Sequence, residues 1–125
     1  MNESPLSNYL HSHRKRSGLS QGQLGALLGY PDEGSVSRHE RLRSIPPFQV
    51  ALAYEAVFRV PVSDLFPGTY ESVRQTVDGR IEGLRRSLQE SSAKGRQAAR
   101  TARILEWMWE RENQDRINQP HVELA

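Results

Sequence analysis

The sequence predicts an all-α protein, and three observations lead to that prediction. Apolar residues recur at intervals of three and four, which is the spacing of one face of a helix. Glycine and proline divide the chain into segments of helical length. No stretch alternates apolar and polar residues as a half-buried strand does. We expect five short helices over residues 6–67 and two longer helices that extend to about residue 113.

Composition limits the classes of protein to which the chain can belong. With 125 residues, of which 36% are hydrophobic, it can form one modest core with some extended helix. The absence of cysteine excludes disulfides and thiolate metal sites. No apolar run approaches the roughly 18 residues of a membrane span. The N-terminal residues lack the basic-then-apolar layout of a secretory signal, so we expect a soluble cytoplasmic protein without membrane partners.

The first two helices are bounded by clear signals. The first is predicted over about residues 6–17, and Gly18 can take the left-handed conformation that closes a helix. Ser20 and Gln23 have the spacing of a capping box, and Gly29 ends the second helix. The apolar positions of the two helices are Leu6, Tyr9, Leu10, Leu24, Leu27 and Leu28.

The third helix has a small, polar outer face. Asp32 is its predicted N-cap, and Val36 is expected to pack inward together with His39 or Glu40. The outward residues are Glu33, Gly34, Ser35, Ser37, Arg38 and Arg41.

Prolines organise the next two helices. Pro46-Pro47 opens a fourth helix, which ends near Arg59. Pro61 begins a short helical turn, and Pro67-Gly68 is expected to stop it. The predicted core positions are Phe48, Leu52, Ala56 and Val57 in the fourth helix and Val62, Leu65 and Phe66 in the turn.

With these elements in place, residues 6–67 resemble the helix-turn-helix domain of the Xre/Cro family, the five-helix, lambda-repressor-like fold of phage repressors and many bacterial regulators. The resemblance covers half of the chain and implies that double-stranded DNA is the partner. The matching residues are Arg14, Lys15, Gly18 to Gln21, Leu24, Gly25, Leu28, Gly29, Val36 to Arg38, Glu40, Pro46 or Pro47, Ala53, Val60, Pro61, Leu65 and Phe66.

In this family the third helix lies in the major groove with its N-terminal part against base edges. The resemblance therefore assigns base reading to Glu33, Gly34, Ser35, Ser37 and Arg38. Arg38 is the foremost candidate. Its guanidinium can pair with guanine O6 and N7 or grip a phosphate, and the sequence leaves both alternatives open.

Phosphate contacts are assigned in the same way. In the family, the residue at the position of Gln21 contacts a phosphate or braces the recognition helix. Arg41, Arg43 and Ser44 follow that helix, and of the basic residues 14–16 we assign Arg14. Two departures from the family pattern stand out: a turn after Gly29 that is one residue longer, and the acidic pair Asp32-Glu33.

The C-terminal part carries a long apolar stripe that needs a partner surface. We expect it to mediate homodimerisation, and folding back on its own domain is the alternative. The assigned residues are Tyr70, Val73, Val77, Ile81, Leu84 and Leu88, with Leu105 and Trp109 from a final helix over about residues 96–113.

Taken together, the sequence predicts a DNA-binding domain over residues 1–68, dimerisation helices over 69–113 and a flexible tail over 114–125. The expected function is a transcriptional regulator that binds a pseudo-palindromic operator as a homodimer. An antitoxin-like or adaptor protein, whose C-terminal helices bind another protein, is the alternative. The four histidines form no ligand set at metal spacing and no phosphate-binding loop is present, so we expect neither enzymatic activity nor a cofactor.

Overall fold

A computed structural model describes the backbone of residues 8–91 and 94–118, and the side chains as far as residue 114. The described part contains helices and no strand, which confirms the all-α prediction. None of these helices is long and apolar enough to cross a lipid bilayer. The helices are α1 (Leu10–Ser17), α2 (Gln21–Leu28), α3 (Gly34–Glu40), α4 (Phe48–Phe58), α5 (Val62–Leu65), α6 (Pro67–Glu90) and α7 (Arg96–Asn118).

Internal contacts divide the chain into two compact units. The N-terminal unit is Met1–Gln75 and the C-terminal unit is Thr76–Ala125. The first turns of α6 thus belong to the N-terminal unit, and the division lies seven residues beyond the predicted boundary after residue 68. One cluster forms the centre of the N-terminal unit: Leu10, Leu24, Val36, Tyr54, Leu65 and Phe66.

The predicted boundaries of α1 and α2 are largely confirmed. Gly18 closes α1 with φ of 83°. The capping box of α2 is present, because Ser20 Oγ accepts from the Gln23 amide at 3.0 Å and Gln23 Oε1 accepts from the Ser20 amide at 2.9 Å. α1 begins at Leu10, four residues later than predicted: Asn8 and Tyr9 precede the helix, and residues 6 and 7 lie outside the described residues.

α3 begins one residue later than predicted. Asp32 is not its N-cap, since the helix starts at Gly34 and Glu33 occupies the cap position without a side-chain hydrogen bond. Asp32 Oδ1 nevertheless accepts from the Gly34 amide at 2.9 Å, so it stabilises the turn that leads into the helix. Val36 and His39 are both buried.

The predicted core face of α4 is wrong at Phe48, Leu52 and Ala56. Phe48 and Leu52 are 76% and 43% exposed, whereas Tyr54 is fully buried. The helix buries Tyr54 because its hydroxyl has a hydrogen-bond partner in His39, so the ring can enter the core. The partly buried residues of α4 that pack on the core are Val50, Ala51, Val57 and Phe58, so Val57 is confirmed.

The last two helices also differ from the prediction. α5 is confirmed, but Pro67 opens α6 directly instead of only stopping α5, and the Tyr70 amide donates to the Phe66 carbonyl at 2.9 Å. Proline suits this first helical position, where no amide hydrogen is needed. α7 continues to Asn118, so the first five residues of the predicted tail are helical. The rest of that tail, residues 119–125, lies outside the described residues.

The corner between α2 and α3 depends on a close backbone approach at Gly25. A Cβ at this position would lie 2.7 Å from the carbonyl oxygen of Asp32, closer than van der Waals contact permits. We therefore expect Gly25→Ala to lower the free energy of unfolding by about 1–3 kcal/mol, since the corner must open to admit the methyl group. Urea denaturation followed by circular dichroism measures this loss.

Gly22, in the same helix, provides the matched control. A Cβ there meets only Ser20 Oγ, at 3.9 Å. Gly22→Ala should stabilise the protein by up to about 1 kcal/mol through helix propensity. Equal stabilisation by both substitutions would contradict the close approach at Gly25.

Candidate nucleic-acid interface

α3 has one buried side and one exposed side. Val36 lies in the core, and His39 and Glu40 follow it on the inner side. Gly34, Ser35 and Ser37 are partly exposed, while Glu33, Arg38, Arg41 and Arg43 are exposed. Apolar side chains are absent from the outer side, so this surface is suited to polar contacts with another molecule.

The carboxylate of Glu40 holds α3 against α1 and α2. Its side chain is only 5% exposed, and Arg14 Nε donates to Oε2 at 2.6 Å while Arg14 Nη2 donates to Oε1 at 3.2 Å. Gln21 Nε2 donates to Oε1 at 3.1 Å, and His11 Nδ1 lies 3.3 Å from the same oxygen. Arg14 Nη1 also donates to the Leu19 carbonyl at 3.1 Å. Both buried charges are thus paired and hydrogen-bonded, as burial requires.

These contacts change the acidity of Glu40. Burial by itself raises the pKa of the carboxyl group, but hydrogen bonds from Arg14, Gln21 and His11, together with the charge of Arg14, outweigh it. The net effect is a pKa below the ordinary value of 4.5. The carboxylate is therefore ionised at neutral pH, and α3 keeps its charged anchor.

A second buried pair fixes the C-terminal end of α3. His39 Nδ1 and the Tyr54 hydroxyl share a hydrogen bond of 2.8 Å, and the Asn8 side-chain amide donates to the His39 carbonyl at 3.0 Å. Burial, and then the charge of Arg38, lower the pKa of His39. Burial also raises the pKa of Tyr54, so both rings are neutral in the folded protein.

On the outer face, Arg38 lies back along the start of its own helix. Its Nη2 donates to Ser35 Oγ at 3.3 Å, and a Cβ on Gly34 would be 3.2 Å from its Nη1. The absence of a side chain at Gly34 therefore leaves room for the guanidinium. A base or a phosphate could replace the weak contact with Ser35, because Arg38 is exposed.

The turn after α3 leaves its cations exposed. The Leu42 amide donates to the His39 carbonyl at 3.2 Å and the Arg43 amide donates to the Arg38 carbonyl at 2.8 Å. These two bonds form a Schellman motif, in which Leu42 adopts the left-handed conformation with φ of 61°. Arg41 and Arg43, on either side of Leu42, are exposed.

Three of the predicted phosphate-binding residues have other contacts in the structure. Arg14 is 8% exposed and bound to Glu40, so it serves as a structural residue and its assignment to phosphate needs correction. The Gln21 side chain braces α3 through Glu40, the second of its two expected roles, while its amide opens α2. Ser44 lines an apolar groove.

The predicted dimerisation residues are partly exposed. On α6, Tyr70, Val73, Val77 and Leu84 are exposed, while Ile81 and Leu88 are half-buried. On α7, Leu105 is half-buried and Trp109 is 64% exposed. Within the C-terminal unit, ion pairs connect the two helices: Arg85 with Glu112 at 2.5 Å and Arg111 with Asp78 at 2.7 Å.

Sequence reasoning missed the joint role of Arg14 and Glu40 because 26 residues separate them in the chain. It also missed the groove that Ser44 lines, although Ile45 and Phe48, the apolar residues that flank Pro46-Pro47, were a signal for it. Among the described residues, no group of three histidine or acidic side chains is arranged to bind a metal ion.

The Glu40 contacts yield a prediction about stability. Glu40→Gln removes the charge that pairs with the buried Arg14, and we expect a loss of about 3 kcal/mol in the free energy of unfolding at pH 7. Folding lowers the pKa of Glu40. The stabilisation that its charge provides is therefore complete above pH 4.5 and is lost as the pH falls through the pKa of Glu40 in the folded protein. Urea denaturation of both proteins at several pH values measures the difference.

Asp64, an exposed carboxylate of the same unit, is the control. Asp64→Asn should change the stability by less than about 0.5 kcal/mol at pH 7. A difference between the wild type and Glu40→Gln that stays constant down to pH 3 would show that ionised Glu40 does not stabilise the fold.

Comparison with known proteins adds no family assignment. No family model matches the chain, and neither a curated protein nor a solved structure is significantly similar to it.

Proposed function

We propose that this protein is a sequence-specific DNA-binding transcriptional regulator of the helix-turn-helix type. α3 is its recognition helix, with base-reading residues among Gly34, Ser35, Ser37 and Arg38 and with Glu33 at its start. Arg41 and Arg43 contact the phosphate backbone, and the amide end of α2 at Gln21 adds a further phosphate contact.

One observation carries the proposal. The inner side of α3 is fixed by the Glu40 carboxylate, both oxygens of which accept hydrogen bonds. Its outer side and the turn after it present small polar residues and the exposed side chains of Arg38, Arg41 and Arg43. A helix that enters the major groove needs such a surface, because small side chains permit close approach and arginine reads guanine or grips phosphate. The resemblance of residues 6–67 to Xre/Cro domains gives independent support and implies a lambda-repressor-like arrangement of the first five helices.

The regulator is proposed to act in the cytoplasm as a homodimer. The recognition helices of a symmetric dimer reach half-sites about 34–36 Å apart, which matches a pseudo-palindromic operator. The exposed apolar residues of α6 support self-association, since an isolated chain would leave them in water.

The exposed tryptophans favour a second candidate function. Trp107 and Trp109 are 49% and 64% exposed on α7. Tryptophan is enriched at the centres of protein interfaces. An adaptor or antitoxin-like protein would use this surface for a different protein and would bind DNA weakly and without sequence preference.

The DNA-binding proposal predicts different losses at two arginines. Once a preferred site has been selected from random DNA, Arg38→Ala should weaken binding to it by about 1–3 kcal/mol and relax the preference at one base pair in each half-site. Arg41→Ala should weaken binding to all sequences alike and lower the slope of log affinity against log salt by about one per arginine. Fluorescence anisotropy at several salt concentrations measures both quantities.

Arg100→Ala, which removes an exposed cation of α7, is the matched control and should leave both quantities unchanged. If the wild-type protein enriches no sequence, and if Trp107→Ala abolishes its association with another protein, the regulator proposal is replaced by the adaptor.

A further inference from the structure

The N-terminal unit contains an apolar groove beside the end of α3. The groove lies between the turn after α3, the first turn of α4 and the first turns of α6, and its volume is about 450 Å³. Its rim consists of Leu42, Ile45, Phe48, Tyr70 and Val73, and the polar residues of the lining besides Tyr70 are His39, Ser44 and Thr69. No side chain of the lining carries a permanent charge.

The rim of the apolar groove is unusually exposed for large apolar residues. Ile45 is 72% exposed and Phe48 76%, and Tyr70 and Val73 are each more than half exposed. An aromatic side chain alone can bury about 150–250 Å². Five large apolar residues, two of them aromatic, therefore form one exposed apolar patch around the groove, and such patches on monomeric proteins are commonly binding surfaces.

Backbone strain at the rim supports the same conclusion. Leu42 adopts the left-handed conformation, at the position of the Schellman motif that glycine usually occupies. A leucine there costs roughly 1–2 kcal/mol relative to glycine. Its side chain lies on the rim of the groove and is 36% exposed, so contact with another molecule would bury the remainder.

The shape of the surface identifies the occupant. A small ligand inside the groove would leave Ile45 and Phe48 uncovered, because these two side chains are the most exposed of the rim. Protruding apolar side chains and an apolar groove occur on the same face, so a second copy related by two-fold symmetry can place its side chains in this groove and receive the same contact in return. The absence of charge from the lining also matches the composition of dimer cores.

We propose that two copies of this chain associate through the apolar groove, with Ile45 and Phe48 of each copy inserted into the groove of the other. The proposal deepens the proposed function and rests on its homodimer, since it names the surface by which the DNA-reading units meet. Tyr70 and Val73 are shared between the groove and the predicted stripe of α6, so the interface includes the start of that stripe.

The test is sedimentation equilibrium of the full chain and of single variants. We expect the wild type to be a dimer and Phe48→Asp to raise the dimer dissociation constant by about 100-fold or more, because the charge would be buried unpaired in the interface. Leu27→Asp is the matched control. Leu27 is 59% exposed on α2 and does not line the groove, so this variant should dimerise like the wild type.

Circular dichroism checks that the Phe48→Asp variant remains folded, which the exposure of Phe48 in the wild type predicts. If the aspartate disturbs the fold, Phe48→Ala replaces it and should still raise the dissociation constant by at least about 10-fold. Leu84→Asp, on α6 in the C-terminal unit, tests the alternative surface. A wild-type monomer at every concentration, or a dimer that Leu84→Asp disrupts while Phe48→Asp leaves it intact, would overturn the proposal.

Measurements of DNA binding by the same variants show whether the groove dimer or the proposed DNA-binding function is wrong. A dimer that depends on Phe48 but selects no DNA sequence would support the groove and contradict the regulator. Conversely, sequence selection that survives in a dimer insensitive to Phe48→Asp would support the regulator and contradict the groove.

Discussion

The ion pair between Arg14 and Glu40 is the interaction on which the rest of the N-terminal unit depends. It joins α1 to α3, and Gln21 adds α2 to the same carboxylate. A buried charge pair of this kind adds little net stability, because the cost of desolvation cancels much of the attraction. Its main effect here is to fix the orientation of α3, and therefore the direction in which the outer face of that helix points.

The end of α3 divides two surfaces of opposite chemistry. Arg41 and Arg43 extend the polar face of the helix, whereas Leu42 between them lies on the rim of the apolar groove. The left-handed conformation of Leu42 makes this division possible, because it ends α3 and changes the direction of the chain at that residue. The proposed DNA-reading surface and the proposed self-association surface are therefore neighbours in so small a unit without overlapping.

Local signals predicted most of the helical boundaries, and long-range contacts explain the errors. Helix caps act within a few residues of the chain, so they can be predicted from the sequence. Examples are the capping box of Ser20 and Gln23 and the glycines Gly18 and Gly29 that end α1 and α2. The face of α4 was misassigned because hydrophobicity favoured Phe48 over Tyr54. Only the partner on α3 makes burial of the Tyr54 hydroxyl favourable, and that partner is 15 residues away.

The sequence by itself determined the all-α class, the small polar outer face of α3 and the apolar stripe of α6, because periodicity and capping are local properties of the chain. The tertiary structure decided which charges are exposed. Arg14 and Arg38 look alike in the sequence, yet one is buried against Glu40 and the other is exposed on α3. The groove exists only in the folded chain, since its walls come from residues 39–51 and 62–73, and the packing of these two segments decides what lies between them.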